Sequence, residues 1–476
     1  MADLYDLVII GGGPGGYVAA LRASQLGGRV ALVEMERIGG CCLNRGCIPT
    51  KTLYRSVENY LDVLHAAEFG VDVVGEVRVN FEKMMVRKDD VVETLVGTVI
   101  ELLKAHRVDL YDGVGTILEP GLVRVRPSPT SPSHVEQDLR CKNIVIATGS
   151  EPARVPIPGS DLPGVLTSRG LLELKKFPQS MVVVGASVVG LEFASMFNAL
   201  GCKVSVLGRK TSMKSAEEQL AKRFRAYISR LGVSVTIGID FKEIVQTDEG
   251  KLRVSYLRGD KEGSVEGEVV LLSTGRVPYT ENLFAQNPGV TMDGPRLVVD
   301  EYMQAGIPGV YAIGDVLGTY MLAHVASYEG EVAVENALGH RRKADYRAVP
   351  YCIFTIPEVA GVGLTEKEAK EKGIDYVVAR FPYTASGKAL AMGEQEGQVR
   401  MICEKLDNGL GGKVLGVHIM GARASDLIAE ATSTMQLNVT AKDLAETIHA
   451  HPTLTEAVME AAKAAAFGEA IHYRKV

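Results

Sequence analysis

Residues 5–16 read YDLVIIGGGPGG, which predicts a buried strand, a glycine-rich turn and the start of a helix. An alanine-rich helix then runs to about Gln25, and residues 29–34 form the next apolar strand. In this pattern the first glycine makes the tight turn, the second lets the backbone approach a pyrophosphate, and the third lets helix and strand pack closely. The acid that ends the second strand is placed to bind a ribose hydroxyl pair. The pattern predicts a dinucleotide site formed by Gly11, Gly13, Gly16 and Glu34.

A second copy of this pattern begins at residue 180. Residues 181–184 form an apolar strand, the turn GASVVG follows, and a helix to about Leu200 leads to another strand. Two such folds in one chain imply two dinucleotides, one a bound electron carrier and one that exchanges. The binding positions predicted for the second fold are Gly185, Gly190 and Arg209.

The second copy departs from the ideal pattern. Ser187 replaces the middle glycine, which its small side chain allows, and Gly208 stands where the ribose-binding acid is expected. Arg209, Lys210 and Lys214 follow. Losing the acid removes a charge that repels a 2′-phosphate, and nearby cations attract one. We therefore expect NADP(H) to be used at least as well as NAD(H), the alternative being that the cations are only a solvated surface.

Composition excludes several classes of protein. The chain has 476 residues, 46% of them apolar and 23% charged, which suits a globular protein of three or four domains. Its net charge of −6 does not favour nucleic acid or an anionic membrane as a partner. No run of 18 or more apolar residues occurs, and the N-terminus enters a strand at once, so we expect a cytoplasmic protein with no membrane association.

Residues 39–51 read GGCCLNRGCIPTK and contain the closely spaced cysteines Cys42 and Cys47. In a straight helix this spacing means a rise of about 7.5 Å, whereas a disulfide needs Cα atoms roughly 4.4–6.8 Å apart. A bridge therefore needs a distorted turn, for which Gly46 is suited. Because so short a loop adds little stability, we expect a bridge that opens and closes. Two unrelated thiols are the alternative, and no metal site is expected because further ligands are missing nearby.

Three further strands end in turns of small residues, a feature that suits close approach of the backbone to a ligand. Asp315, after the third strand, could accept hydrogen bonds from ribityl hydroxyls of a cofactor. The candidate residues at these strand ends are Thr148, Gly149, Gly275, Arg276 and Asp315.

From about residue 3 to residue 470 the chain resembles the two-dinucleotide flavoprotein disulfide oxidoreductases, and within them the dihydrolipoamide dehydrogenases. The redox segment 39–51 carries the resemblance, together with residues 321–324 (MLAH, with Ala323 beside the cofactor) and residues 447–456 (TIHAHPTLTE). Departures are Cys41, where the family usually has Thr, and Arg45, where a small apolar residue is usual. A cation there could lower a thiol pKa, and a third thiol could be a side-route for oxidation or a simple Thr-sized replacement.

The resemblance implies a mechanism and a set of partners. FAD is expected in the first fold and a nicotinamide nucleotide in the second, with Cys42 as the interchange thiol and Cys47 as the thiolate beside the flavin. His451 would take up substrate protons, with Glu456 bonded to its other ring nitrogen, and His449 is expected to serve packing or an interface. Because this His comes from the other subunit in the family, a homodimer is implied. The remaining implied contact is an ion pair near the flavin between Lys51 and Glu192.

The expected substrate is a dihydrolipoyl group on a protein of a 2-oxoacid dehydrogenase or glycine cleavage complex. Other candidates are an NADPH-dependent reductase of another small disulfide and a non-catalytic subunit that keeps the fold. Mercuric reductases and high-molecular-weight thioredoxin reductases fit less well, because residues 470–476 contain no cysteine pair.

We therefore expect an α/β protein with two Rossmann-like dinucleotide-binding domains, a central domain and an α+β C-terminal dimerisation domain. The expected boundaries are residues 1–150 for the FAD domain, 151–275 for the NAD(P) domain, 276–346 for the central domain and 347–476 for the interface domain.

Overall fold

The computed structural model describes residues 4–128, 136–209, 213 and 216–474. The chain divides into two compact units, each formed by separate stretches of sequence. The first unit comprises residues 1–155, 167–177 and 274–344, and the second comprises residues 156–166, 178–273 and 345–476.

The strands of the described residues are β1 (Tyr5–Ile10), β2 (Val30–Glu34), β3 (Asp109–Asp112), β4 (Val114–Glu119), β5 (Leu122–Arg126), β6 (Gln137–Ile146), β7 (Ser150–Pro152), β8 (Val165–Leu166), β9 (Ser180–Val184), β10 (Lys203–Gly208), β11 (Ser234–Ile237), β12 (Asp240–Gln246), β13 (Leu252–Arg258), β14 (Lys261–Gly267), β15 (Val269–Leu272), β16 (Arg276–Pro278), β17 (Met292–Asp293), β18 (Arg296–Leu297), β19 (Val310–Ala312), β20 (Pro350–Ile353), β21 (Val359–Gly363), β22 (Tyr376–Pro382), β23 (Gln398–Lys405) and β24 (Gly411–Met420).

The α-helices are α1 (Pro14–Gln25), α2 (Gly40–Arg45), α3 (Cys47–Leu64), α4 (Phe81–Ala105), α5 (Ser168–Leu172), α6 (Val188–Ala199), α7 (Glu218–Arg230), α8 (Ala323–Ala337), α9 (Glu366–Glu371), α10 (Gly387–Ala391), α11 (Ala424–Gln436), α12 (Ala441–Glu446) and α13 (Glu456–Phe467). Short 3₁₀ helices span Ala66–Phe69, Gly314–Leu317 and Tyr383–Ala385.

The first unit is organised around a sheet with strand order β3-β2-β1-β6-β5-β4, to which β19 adds beside β6. The strands β3, β2, β1, β6 and β19 are parallel, so their carboxyl ends lie along one edge. Ile10 at the end of β1 pairs with Val33 and Ile146, which places the turns after these strands side by side. Residues 7–9 are fully buried, as expected of a parallel strand covered on both faces.

The second unit contains a parallel sheet and two antiparallel ones. The parallel sheet has the order β11-β10-β9-β15-β8, and it carries the second strand–helix–strand pattern. The smaller antiparallel sheet has the order β12-β13-β14. The larger antiparallel sheet has the order β20-β21-β24-β23-β22, and helices α11, α12 and α13 pack against it. Its core includes Phe381, Tyr383, Met401 and Ile419, each no more than 2% exposed.

The predicted α/β class is confirmed: in each unit a glycine-rich turn follows a strand, β1 or β9, whose neighbouring strands are parallel to it. The boundaries of the four predicted domains stay a prediction. The central stretch 276–346 contributes β19 to the sheet of the first unit, and within this stretch β17 and β18 form a two-stranded antiparallel sheet. None of the helices in the described part of the chain has both the length and the apolar character needed to cross a membrane.

A histidine is buried in the core of the second unit. His418, on β24, is fully buried, with Nε2 3.0 Å from Leu364 O and Nδ1 3.3 Å from the Tyr351 hydroxyl. Burial, with a smaller effect of the Arg400 charge, lowers the pKa of His418 to about 4. The folded protein therefore holds this imidazole neutral at pH values where an unfolded chain, with a pKa of about 6.5, already binds a proton.

This difference predicts a loss of stability in acid. As the pH falls below about 6.5 the unfolded state binds the extra proton, so stability falls until His418 is itself protonated near pH 4. Between pH 7 and pH 5 this one group should remove about 2 kcal/mol of unfolding free energy. Urea unfolding at fixed protein concentration should therefore be less pH-dependent in His418→Gln than in wild type. The exposed-residue control His340→Gln should keep the wild-type dependence, and an unchanged dependence in His418→Gln would contradict the assignment.

Candidate active site

The first glycine-rich turn directly follows β1 and leaves no room for a side chain at Gly11 or Gly16. A Cβ on Gly11, whose φ is +108°, would lie 2.2 Å from Ala147 O, and one on Gly16 would lie 1.7 Å from Gly11 O. Helix α1 starts at Pro14, with Gly13 as its extended N-cap residue. Its first backbone N–H groups and its dipole form a site for an anionic group at the end of β1.

Glu34 is held at the end of β2. Its Oε2 accepts a hydrogen bond from Gly12 N at 2.6 Å, and its Oε1 accepts one from Glu36 N at 2.8 Å. Burial raises the pKa of Glu34, and the hydrogen bonds from the Gly12 and Arg37 backbone amides oppose that effect. The glycine turn, the helix N-terminus and this carboxyl group fit the pyrophosphate and ribose of FAD.

Two of the candidate residues at the other strand ends of the first unit, Arg276 and Asp315, are joined through Ser150. Ser150 Oγ donates to Asp315 Oδ2 at 2.5 Å, and Arg276 donates to Ser150 Oγ at 2.7 Å. Asp315 lies in the 3₁₀ helix Gly314–Leu317, whose first N–H donates to the buried carboxylate of Glu329 at 2.7 Å. Ser150 and Glu329 were not predicted from the sequence. Ser150 gave only a weak signal, as the residue directly after the Thr-Gly turn.

Four other predicted positions belong to the same unit. Thr148 Oγ1 donates to Tyr279 O at 2.6 Å, and Gly149, with φ +74°, accepts from Tyr279 N at 2.9 Å. Gly275 has φ +118°, a conformation that favours glycine. Ala323 is the first residue of α8.

The redox segment forms two helices interrupted at Gly46. Helix α2 ends at Arg45, and α3 begins at Cys47, so the predicted distortion lies between the two cysteines. The Cys42 and Cys47 side chains are hydrogen-bonded as thiols; that bond and burial raise the pKa of Cys42, and the Lys51 charge opposes the rise. Cys47 is exposed and Cys42 half-buried. Sequence reasoning missed Tyr17 on α1. Burial raises the pKa of Tyr17, and the negative charge of the nearby Cys42 sulfur raises it further.

The two departures from the family pattern have identifiable partners. Burial raises the pKa of Cys41, and Arg276, whose side chain is hydrogen-bonded to this thiol, opposes the rise. Arg45 forms an ion pair with Glu36, a carboxylate that Arg169 also approaches at 3.5 Å. The Arg45 charge is thus engaged by a carboxylate, and the cation that opposes the rise in the pKa of Cys42 is Lys51.

The second glycine-rich turn lies in the second unit. A Cβ on Gly190 would lie 2.6 Å from Gly185 O, so helix and strand pack closely as predicted. Ser187 does more than replace a glycine, because its hydroxyl accepts from Gly190 N at 3.3 Å and caps α6. This hydroxyl also forms a hydrogen bond with Ser273 Oγ.

The end of β10 carries no acid. Gly208 is buried, whereas Arg209 is exposed, with its guanidinium 5.9 Å from the ring centre of Phe241. The predicted cations Lys210 and Lys214 lie outside the described residues. The turn and α6 fit a nicotinamide dinucleotide. Arg209 directly follows Gly208, the strand-end residue at the position where an acid would bind the ribose.

The predicted histidine–carboxylate pair is also in the second unit. His451 Nδ1 lies 2.9 Å from Glu456 Oε1, and Thr453 N donates to Glu456 Oε2 at 2.9 Å. Burial alone would raise the pKa of Glu456, but the hydrogen bonds from Thr453 and His451 lower it below its usual value. The ionised carboxylate therefore fixes the hydrogen on Nδ1 and leaves Nε2 of His451, whose side chain is 79% exposed, able to accept a proton.

Glu192 is buried on α6, and its Oε1 accepts from Phe354 N at 2.8 Å. Its pairing with Lys51 stays a prediction. Across the described residues, no three His, Cys, Asp or Glu side chains are grouped so that they could hold a metal ion.

Comparison with known proteins places the chain in a family. The family model "Pyridine nucleotide-disulphide oxidoreductase" matches residues 5–330, and the dimerisation-domain model of the same family matches residues 349–462. A dihydrolipoyl dehydrogenase of Bacillus subtilis (strain 168) is 39% identical over 482 residues, covering 99% of this chain and 100% of the relative. The mitochondrial dihydrolipoyl dehydrogenase of Canis lupus familiaris is 37% identical over 478 residues, covering 98% and 92%.

A solved structure is similar over the same length. It is the Cu(II) complex of the HOCl-induced flavoprotein disulfide reductase RclA from Escherichia coli, with a TM-score of 0.85 and 26% sequence identity. The match covers 97% of this chain and 99% of that one. From these matches, the chain belongs to the pyridine nucleotide-disulphide oxidoreductase family and, within it, to the dihydrolipoyl dehydrogenases.

Proposed function

We propose that this protein oxidises protein-bound dihydrolipoyl groups with FAD as its bound cofactor and a nicotinamide nucleotide as the final electron acceptor. The observation that carries the proposal is the pair of hydrogen-bonded thiols, Cys42 and Cys47, on either side of a helical break. When bound, FAD supplies two-electron chemistry between a dithiol and a nicotinamide. The glycine turn and Glu34 of the first unit are the residues that would hold it.

The thiol pair exchanges disulfide bonds with the substrate. One substrate thiolate attacks Cys42 Sγ of the oxidised pair, breaks the Cys42–Cys47 bond and releases Cys47 as a thiolate. The second substrate sulfur then attacks the mixed disulfide, which gives oxidised lipoyl and a second protein thiolate. Lys51, which favours the charged form of a neighbouring thiol, assists this step.

His451 acts as the base for the substrate thiols. Glu456 orients its imidazole, and the free Nε2 accepts the proton that a thiol must lose before it can attack. The dimerisation-domain match supports a homodimer in which His451 of one subunit serves the cysteine pair of the other. The names of the relatives support a dihydrolipoyl substrate, and the lipoyl group would arrive on a protein of a 2-oxoacid dehydrogenase or glycine cleavage complex. A cytoplasmic location suits a thiol pair that must cycle between oxidised and reduced states.

Replacing Cys47 tests the redox pair. Air-oxidised wild type should yield a peptide pair joined by a Cys42–Cys47 disulfide, and two-electron reduction should produce a long-wavelength flavin absorbance band. Cys47→Ser should lose both signals, because it removes one sulfur of the pair. Cys41→Thr is the matched control and should keep both. The assignment would be contradicted if Cys41→Thr lost the disulfide, or if the disulfide in wild type joined cysteines other than Cys42 and Cys47.

Replacing His451 tests the base. His451→Ala should lower the rate of dihydrolipoamide oxidation at least ~10²-fold, the effect typical of a general acid/base. Reduction of the flavin by reduced nicotinamide should change far less, because that half-reaction takes no proton from a substrate thiol. Rapid-mixing measurements separate the two half-reactions, with His340→Ala as the control. An equal loss in both halves would count against the proposed role.

The end of β10 predicts the nucleotide preference. Without an acid there, and with Arg209 exposed beside the site, NADP(H) should be used at least as well as NAD(H). A charge-assisted contact is worth about 1.5–3 kcal/mol, or roughly ten- to a hundredfold in affinity. Gly208→Glu with Arg209→Phe should therefore shift the ratio of kcat/KM values toward NAD⁺. The exposed-arginine control Arg258→Phe should leave the ratio unchanged, and a wild-type kcat/KM for NAD⁺ more than tenfold above that for NADP⁺ would refute the prediction.

A further inference from the structure

The loop that carries His451 is anchored by a second histidine. This loop, residues 447–455, connects α12 to α13. Ile448 is 97% exposed and the His451 side chain 79% exposed, whereas the His449 side chain between them is only 5% exposed. His449 is thus turned into the protein in a loop whose neighbouring side chains face outward.

Both ring nitrogens of His449 have hydrogen-bond partners. Nδ1 lies 2.8 Å from Thr447 O, and Nε2 lies 2.7 Å from Glu430 Oε1 on α11. A carbonyl oxygen can only accept, so Nδ1 carries a hydrogen. A carboxylate oxygen also accepts, so the short contact at Nε2 needs a second hydrogen between the two groups. His449 and Glu430 together therefore hold one proton more than a neutral His449 imidazole and an ionised Glu430 carboxylate would carry.

The surroundings of Glu430 favour the charged form of that pair. Within the described residues, Glu430 Oε2 is buried without a hydrogen-bond partner. The Glu430 side chain as a whole is 27% exposed, but its one buried and unsatisfied oxygen is stabilised by a nearby cation, and an imidazolium at 2.7 Å supplies it. An imidazolium donates through both nitrogens, which satisfies Thr447 O and Glu430 Oε1 at the same time.

The pair links the loop to a helix that does not flank it in sequence. The Thr447 hydroxyl donates to Asp443 O on α12, and Thr453 N donates to Glu456 on α13, so these bonds tie the loop to its own neighbouring helices. The His449–Glu430 bond ties it to α11 instead. Residue 451 is two positions further on, at most about 7 Å along the chain, so a displacement at His449 is carried directly to the base.

We propose that His449 and Glu430 form a positioning pair for the His451 base, in which an imidazolium–carboxylate bond to α11 sets the place and angle of the catalytic imidazole. This inference rests on the proposed role of His451 in dihydrolipoyl oxidation. His449 is buried away from solvent and acts through His451. Errors of about 1 Å in the position of a catalytic group can cost up to 10²-fold in rate.

The kinetic experiment uses the variants His449→Gln and Glu430→Gln in the FAD-loaded protein. Both should lower kcat for dihydrolipoamide roughly tenfold with little change in KM, because the base is misplaced while substrate binding is kept. Flavin reduction by reduced nicotinamide should stay within about twofold of wild type. The matched control Glu371→Gln removes an exposed carboxylate from α9 and should change neither value. Wild-type kcat in both pair variants, or equal losses in both half-reactions, would overturn the proposal.

A spectroscopic readout tests the charged pair independently of turnover. In protein labelled with ¹⁵N-histidine, one of the nine imidazoles should show two slowly exchanging N–H protons. That signal should vanish in His449→Gln and lose one proton in Glu430→Gln, and it should persist in His451→Ala. A single ring proton on His449 in wild type would overturn the assignment. If instead FAD-loaded wild type does not oxidise dihydrolipoamide while the signal is present, the proposed function fails and the imidazolium assignment stands.

Discussion

The helical break at Gly46 brings the thiols of Cys42 and Cys47 within hydrogen-bonding distance, which a continuous helix through residues 40–64 could not do. A Cβ at residue 46 would lie only 3.0 Å from Cys41 O, so the close return of the chain needs a glycine. The break also leaves α3 free to start at Cys47 and to place Lys51 one turn further on. In the proposed mechanism, disulfide exchange, thiol ionisation and access to the bound cofactor all depend on this local geometry.

The two dinucleotide folds show how one backbone pattern supports different ligands. In the first, Glu34 ends the second strand and is fixed by backbone N–H groups. In the second, Gly208 holds that place and Arg209 follows it. Ser187 caps α6 where the first fold has a glycine. The shared backbone keeps the pyrophosphate site, and the residue at the strand end sets the charge offered to the ribose.

The parts of the site that sequence predicts well are those made by residues close together in the chain. The turns at Gly11 and Gly185, the break at Gly46 and the bond between His451 and Glu456 each follow from local spacing and side-chain chemistry. Long-range pairs were not predictable in this way. Ser150 meets Asp315, 165 residues away, only because β6 and β19 are neighbours in the sheet. His449 offered no local signal for its bond to Glu430, which depends on how the loop lies against α11.

In the proposed function, the cysteine pair oxidises a dihydrolipoyl group and passes the electrons to a nicotinamide nucleotide. The most direct measurement is steady-state turnover of the FAD-loaded wild type with dihydrolipoamide, with NAD⁺ and NADP⁺ offered separately and reduced nicotinamide followed by absorbance. We expect the FAD-loaded wild type to turn over at a rate on the order of 1–10³ s⁻¹ with at least one nucleotide. Absence of turnover with both, in protein that retains its flavin and its Cys42–Cys47 disulfide, would contradict the proposed function.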